Sequence, residues 1–581
     1  MATVLTAEPK AAVSAVEMGA RQREISVSEF FTKNRHLLGF DNPRKALLTC
    51  VKEAVDNALD AAEEAGILPD VVVRVEVAAD NGSAPPPASQ ATRFRVTVTD
   101  NGPGIVRHQI PPIFAKLLYG SKFHRLRMSR GQQGIGISAA AMYGQLTTGK
   151  PMAVISRTGP RKKAVTMQVL IDTAANKPRT LDEHELAEWD LRHGTEIRVE
   201  LEAQYLKGRQ SVDEFLHQVA VANPHATLHY RPPSGEDVHW ERTVEENPAA
   251  PKEIKPHPHG VELGVLMKML QGTRQSTVSA FLSRDFSRVS PRLAGQILER
   301  AGIRVRARPK SILRREVDSL YQAINDPATR IMAPPTDCLS PIGMQELLAG
   351  LTRGVRAEFY TVETRKPAVY RGNPFQVEVG LAWGGDLPSD DLARLLRFAN
   401  RVPLLYQAGA CCVTKAVNEV AWKSYGLQHS RGALPTGPLI VLVHLASVWV
   451  PFSSESKEAV ADYDEIRREI KLAVQACGRR LGQYVKRRQR ARGEARRREA
   501  FNVYLEEVVR CVEGITGEPQ PDFRDHLLRI SNQKTQLAEL LTELDAPEDG
   551  DQELASADNV LIVETGGAPE EVGEQATLDL G

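Results

Sequence analysis

VKEAVDNALDAAEEA, residues 51–65, decides how the rest of the chain is read. On a 3.6-residue period, Val51, Val55, Ala58 and Ala62 share one face, while Glu53, Asn57, Asp60 and Glu64 fall on the opposite one. The pattern predicts a helix over about 44–65, stopped by Gly66 and Pro69. By itself this is an ordinary amphipathic helix. Two glycine-rich segments downstream change the reading: Asp100-Asn-Gly-Pro-Gly-Ile105 and Gly131-Gln-Gln-Gly-Ile-Gly136.

Phe94, Val96 and Val98 alternate with Arg95, Thr97 and Thr99, a half-buried strand that delivers Asp100 to its end. Gly102 and Gly104 then allow a sharp turn and close backbone approach. Gly131, Gln132, Gln133, Gly134, Ile135 and Gly136 lead straight into a small-residue helix, ISAAAMYGQL. A glycine loop feeding a helix N-terminus presents free N–H groups and the positive dipole end, which suits phosphate. Between the two loops lies Gly120-Ser-Lys-Phe-His124, which is not a Walker A loop because Ser precedes Lys and the upstream glycine is missing. Ser121 and Lys122 are candidates for a lid over a bound nucleotide.

Helix, Asp-x-Gly-x-Gly and second glycine loop, in this order, resemble the Bergerat-type ATP-binding fold of the gyrase, Hsp90, histidine-kinase and MutL superfamily. ATP hydrolysis needs a base for the attacking water, a magnesium ion against the phosphates and donors around the γ-phosphoryl group. Glu53 and Asn57, one turn apart, meet the first two needs: Glu53 accepts the water's proton and Asn57 gives Mg2+ an oxygen ligand. The resemblance implies that Asp100 accepts a hydrogen bond from the adenine amino group. It also implies a partner threonine on a later strand, for which Thr195 in GTEI fits, although Thr195 reads equally well as a plain strand residue.

Acidic and basic residues nearly cancel, 73 against 74, so global charge is silent on nucleic acid. Their distribution says more. Residues 479–498 hold ten Lys or Arg, whereas residues 545–581 hold eleven acids and no base. The six cysteines show neither CxxC spacing nor partner histidines, which argues against a zinc ribbon and a secreted disulfide framework. No apolar run is long enough to span a bilayer, and the first 24 residues suit no signal peptide, so a cytoplasmic protein with no membrane partner is expected.

The chain divides by composition. Residues 1–24 read as a flexible arm and 25–250 as the ATP-binding domain, with strands through Val154, Val165–Ile171 and Gly194–Glu200. Pro248–Pro258 reads as a linker, and 256–330 as a helical domain. A third domain, 331–498, carries strands at Phe375–Trp383 and Leu439–Leu445, a helix at about 389–401 between them, and a long helix from Ser456 with an apolar stripe at Ile466, Ile470, Val474, Cys477, Leu481 and Val485. Residues 499–545 read as two shorter helices and 546–581 as a disordered acidic tail. The expected fold class is multidomain α+β.

The resemblance then narrows to the B subunits of type IIB topoisomerases, the topoisomerase VI family. ISVSEFFTKN, VKEAVDNALDA, VTDNGPGI, GSKFH, GQQGIG, KPHPHGVE, RGNPFQVEVGLAWGG, FANRVPLLYQ, AWKSYGL and VHLASVWVPF carry it across about residues 25–490. It implies a Bergerat α/β sandwich, a helix-two-turn-helix insert and a βαβ transducer ending in a long helix. Lys423, in AWKSYGL, would be the switch lysine reaching from the transducer to the γ-phosphate; its plain alternative is an exposed lysine at a helix end. ATP and Mg2+ are the implied cofactors. The implied partners are a cleaving A subunit, a second copy of this chain in an A2B2 heterotetramer, and double-stranded DNA near the nucleoid of a prokaryotic cell. Asp462/Asp464 and Asp549/Asp551 do not close an apolar strand as a cleavage-metal site would, so strand cleavage is expected to come from the partner. A MutL-like or chaperone-like ATP-driven clamp is the alternative from the same superfamily, and a DNA-binding scaffold with structural ATP the non-enzyme one.

Overall fold

The computed structural model describes residues 15–20, 22, 24–78, 91–122, 125–131, 134–430, 432–454, 456–519, 521–544 and 559–563. The fold is mixed α+β. Its first unit is an eight-stranded sheet of β1 (Asp70–Val77), β2 (Thr92–Asp100), β3 (Met152–Arg157), β4 (Val165–Asp172), β5 (Lys177–Glu185), β6 (Gly194–Ala203), β7 (Thr227–Arg231) and β8 (Val238–Trp240), in the order β5-β4-β3-β6-β2-β1-β7-β8. Val71, Val73, Val75, Phe94, Val96 and Val98 form the inward rows of the central strands. Three helices cover them: Pro43–Glu64, Gly136–Thr148 and Val212–Ala222. The first begins with Pro43 in its first turn behind Asn42, whose Oδ1 accepts from Lys45 N at 2.9 Å. Its expected apolar face, Val51, Val55, Ala58 and Ala62, is buried throughout.

Residues 263–325 form a helical insert of Leu263–Gly272, Val278–Asp285, Pro291–Arg300 and Arg314–Asn325 around a separate core that includes Phe281 and Phe286. Thr277 and Ser290 cap the second and third helices by accepting from Ala280 N and Leu293 N.

A second sheet follows, built from β9 (Phe359–Thr364), β10 (Ala368–Tyr370), β11 (Asn373–Trp383), β12 (Arg394–Ala399), β13 (Val402–Pro403), β14 (Leu439–Ser447) and β15 (Val560–Ile562), in the order β13-β12-β14-β11-β9-β15 with β10 on β11. All nine residues of β14 are buried because both faces are covered. The stripe Ile466, Ile470, Val474, Cys477, Leu481 and Val485 packs on one face, and the helix Met344–Gly354 on the other.

The structure corrects several expectations. Residues 389–401 are not a helix: LARLLRFAN has helical spacing, but 394–399 is β12, parallel to β14. With neighbours on both edges it loses strand alternation, and its buried Arg397 donates through Nη2 to Leu404 O at 2.7 Å and Tyr406 O at 2.9 Å. The βαβ unit therefore runs β12, the helix Cys412–Asn418, β14, whereas the two strands expected to form it, β11 and β14, pair antiparallel. The long helix starts at Asp464, eight residues after Ser456, and runs unbroken to Thr516. The helix thus crosses residue 499 without a break, and among the described residues Pro521–Leu544 is the separate helix beyond it. Ala15–Ala20 of the expected flexible arm is helical. Within the acidic tail, Val560–Ile562 forms β15 on β9, tied at its ends by Val362 N to Asn559 O (3.0 Å) and Val563 N to Glu358 O (2.8 Å). The rest of that tail lies outside the described residues.

β15 covers an otherwise open edge of β9, where Phe359, Tyr360 and Val362 are buried. A chain ending at residue 544 is expected to melt about 2–4 °C lower and to self-associate with rising concentration. Calorimetry and light scattering check this; unchanged values in both would show that β15 contributes nothing to the edge.

Candidate functional site

A cavity of about 770 Å³ opens between the first sheet's helical layer and the second unit. The polar face of Pro43–Glu64 forms one wall: Glu53, Asn57, Asp60 and Glu64 all line it. Ser121 and Lys122 line it from the segment ahead of the glycine loop, and Gly131, Gly134, Ile135 and Gly136 from the loop itself. Asp100, Gly104 and Thr195 lie at the strand ends. Gln132 and Gln133 fall outside the described residues.

Two glycines are there for stated physical reasons. A Cβ on Gly136 would lie inside the Glu53 carboxyl group, so any larger residue would have to push this acid aside. Gly104 has φ +72°, and a Cβ there would collide with the Arg157 carbonyl. Gly102, though not in the cavity wall, donates its N–H to Asp100 Oδ1 at 2.8 Å. Thr195 N reaches the same oxygen at 3.3 Å, and the β2–β6 register sets Thr195 directly opposite Asp100. Burial pushes the Asp100 carboxyl up to about 6 despite these two donors. Oδ2 makes no hydrogen bond to a described residue, which leaves an acceptor for an amino group.

The electrostatics grade along the helix. Lys52 is desolvated, which lowers its ammonium pKa, and burial pushes Asp56, one turn on, up to about 7. Burial would raise Asp60 as well, but the Lys122 and Arg130 cations outweigh it and hold this carboxylate below its ordinary range. Lys122 Nζ rests on Asp60 Oδ2, and Arg130 Nη1 on Asp60 Oδ1 at 2.8 Å. Arg130 also forks onto Glu63, Nη1 to Oε2 at 2.7 Å and Nη2 to Oε1 at 2.6 Å. The residue just before the glycine loop is thereby fastened to the helix that carries Glu53.

Lys423 is not among the residues that line this cavity. It lies exposed on the 3-10 turn Trp422–Tyr425, held away from the cavity because Trp422 is buried in the second sheet's core and Tyr425 seats against Gly478 and Gly482 of the long helix. The lysine that reaches the cavity from the second unit is Lys457. It is 8 % exposed, adopts φ +53°, and donates through Nζ to Arg130 O at 3.3 Å. Ser456 and Glu458 line the cavity beside it, and Glu458 pairs with Lys45. In the sequence, SSESKEA reads as the polar start of the long helix. The signal available was an isolated lysine in a polar run between the apolar VWVPF and that helix.

The donor set fits a nucleotide with its metal. Asn57, exposed to the cavity, offers a neutral oxygen beside Gly131 and makes no hydrogen bond to a described residue, and hard oxygen donors suit Mg2+. Asp100→Asn keeps the Oδ1 acceptor but removes a buried charge. Holding that charge ionised at neutral pH costs the folded state on the order of 3 kcal/mol, present above the folded value of about 6 and lost as pH falls towards the unfolded value. The nucleotide-free variant is therefore expected to melt higher than the parent at pH 7.5, with the gain gone by pH 4, and to bind ATP at least tenfold more weakly. Melting scans at both pH values and a binding titration check it; tight binding by the variant would remove Asp100 from base recognition. Gly136→Ala is expected to displace Glu53 and lower ATP turnover about a hundredfold, read in a phosphate-release assay.

Comparison with known proteins agrees with this geometry. Residues 42–205 match the family described as histidine kinase-, DNA gyrase B- and HSP90-like ATPase, and residues 334–497 match the topoisomerase VI B subunit transducer. The chain is 49 % identical over 479 residues to the type 2 DNA topoisomerase 6 B subunit of Methanococcoides burtonii, covering 82 % of this chain and 75 % of that one. The protein of the same name from Archaeoglobus fulgidus is 49 % identical over 474 residues, covering 81 % and 76 %. That of Pyrococcus horikoshii is 37 % identical over 560 residues, covering 89 % and 96 %.

Proposed function

Since this chain belongs to the family of topoisomerase VI B subunits, we propose that it turns ATP hydrolysis in the cavity around Glu53 into movement of a DNA duplex through a break made by a partner A subunit. It is the ATPase subunit of a type IIB DNA topoisomerase. One observation carries the residue assignment: Glu53 is in contact distance of the glycine loop, and Lys457 arrives at the same loop from the transducer side.

The chain's residues divide the work. Asp100 accepts the adenine amino group, with Thr195 closing that end. The N–H groups at the start of Gly136–Thr148 face the phosphates, where the helix dipole favours negative charge. Glu53 orients the attacking water and takes its proton. Asn57 would hold Mg2+, whose charge would offset that of the phosphates. Lys423 keeps the proposed role of switch lysine, reaching the γ-phosphate when the transducer moves, and Lys457 stands beside it: a compact ammonium bonded to one backbone carbonyl can exchange it for a phosphate oxygen at little cost. The assembly we propose is A2B2, with ATP pairing two copies of this chain around DNA.

Decatenation and relaxation by this chain together with its A subunit test the reading. Glu53→Ala is expected to keep nucleotide binding and lose turnover by about 10²–10⁴-fold, with strand passage lost in parallel. Lys457→Met is expected to bind ATP but fail to couple it to strand passage. ATP hydrolysis without any change in DNA topology would move the chain to the ATP-driven clamp class. Normal turnover in Glu53→Ala would remove Glu53 from its role.

A further inference from the structure

FANRVPLL, residues 398–405, contains the turn between β12 and β13. Phe398 pairs with Pro403 and Ala399 with Val402, so the loop is the two residues Asn400 and Arg401. Both have positive φ, +49° and +66°, the pattern of a type I′ hairpin turn. The second position of that turn ordinarily takes glycine; arginine there is strained, and this one is also buried, 4 % exposed, with its Nε donor lacking a partner. Such a residue persists only where its surroundings over-determine it.

Those surroundings span both units. Asn400 Nδ2 donates to Ser129 O, two residues before the glycine loop, at 2.9 Å, and to Ser447 O of β14 at 2.9 Å. Its Oδ1 accepts from Ser447 N at 2.9 Å. Arg401 Nη1 lies 3.6 Å from Glu63 Oε2, the carboxylate that Arg130 grips. Arg401 Nη2 holds Ser340 O at 3.1 Å, Ser340 Oγ at 3.0 Å and Pro341 O at 2.9 Å. Its backbone N–H donates to His444 Nε2 at 3.0 Å. The proton on His444 must then be on Nδ1, which meets Glu378 Oε2 at 2.7 Å. Glu378 in turn accepts from Ile342 N at 2.7 Å and Gly343 N at 2.9 Å, at the start of the helix Met344–Gly354. His444 and Glu378 have no exposed surface. A continuous polar path therefore runs from the Glu53 helix and the entry of the glycine loop, through this hairpin tip, to both β14 and the helix on the far face of the sheet.

We propose that Asn400 and Arg401 are positioning residues that clamp the entry of the phosphate loop to the transducer sheet, so that rearrangement of the loop around a nucleotide displaces β12 and β14 directly. The clamp works beside Lys457: the lysine reports on the ligand, whereas the hairpin tip carries the position of Ser129 and Glu63. It rests on the nucleotide site proposed above.

Asn400→Gly and Arg401→Gly test it, because glycine relieves the left-handed turn while deleting the side-chain grip. In the holoenzyme with its A subunit, both variants are expected to bind a non-hydrolysable ATP analogue within about threefold of the parent and to lose about tenfold in strand-passage events per ATP hydrolysed. In the chain alone, the analogue is expected to alter amide hydrogen exchange across 394–403 and 439–447 in the parent and not in the variants. Arg401→Lys keeps the charge near Glu63 but not the fork on Ser340 and Pro341. It is expected to restore part of the lost ratio, and it supplies the same measurements if a glycine variant does not fold. An unchanged passage-per-ATP ratio, or an exchange response identical to the parent's, would overturn the clamp. So would parallel loss of binding, turnover and melting temperature at constant ratio, the mark of a purely structural role. A parent that neither binds nor hydrolyses ATP would instead sink the nucleotide site itself, which the exchange experiment on the parent detects separately.

Discussion

A single buried cation, Arg130, is the point on which the site's geometry depends. At 5 % exposure its charge is tolerable only because Asp60 and Glu63 face it, with Asn223 Oδ1 completing the set at 2.5 Å. The dependence is mutual. Removing one partner from such a buried cluster costs about 3–5 kcal/mol because the remaining charges are stranded. The cluster therefore fixes the register between the Glu53 helix and the loop that begins at Gly131. Its carbonyl, being backbone, is left for Lys457, and Glu63 is left half-open to Arg401. Chemistry and coupling grow from the same knot of charge.

The nucleotide end of the cavity shows the opposite arrangement. Asp100 is buried without a cation against it, and Lys52 and Asp56 are desolvated on the helix next to Glu53. Burial of these groups disfavours their charged forms. The sheet above buries mostly apolar rows on its inner face. In the second unit, strained Arg401 sits in the β12–β13 turn and bonds through its N–H to buried His444 within β14, a strand with no exposed residue.

Much of this was legible because it depends on local spacing. The helix Pro43–Glu64, its two faces, the strand ending at Asp100 and the two glycine loops follow from period and turn chemistry over a few residues. The long helix's apolar stripe was equally plain. What failed was decided by neighbours. LARLLRFAN has the spacing of a helix, and only insertion between β13 and β14 makes 394–399 a strand. Val560–Ile562 is an unremarkable apolar triplet in an acidic tail until the free edge of β9 receives it. SSESKEA reads as a helix start, yet a left-handed Lys457 turns it into a loop aimed at the other unit.

The amino-acid order alone thus placed Glu53, Asn57, Asp100 and the glycines, the residues proposed to act on the nucleotide, on elements set by short-range periodicity and backbone freedom. It also determined the family, through segments scattered over most of the chain. Tertiary structure decided which lysine meets the cavity and which residues tie the two units together. Lys423 follows Trp422 in the largely apolar AWKSYGL and Lys457 lies in the polar run SSESKEA, each the single cation of its segment. Packing of Trp422 and Tyr425 keeps one out of the cavity wall, while the other is buried against Arg130 within it. Contacts between residues more than three hundred positions apart leave no trace in local pattern, because burial is a property of the assembled layers rather than of the segment.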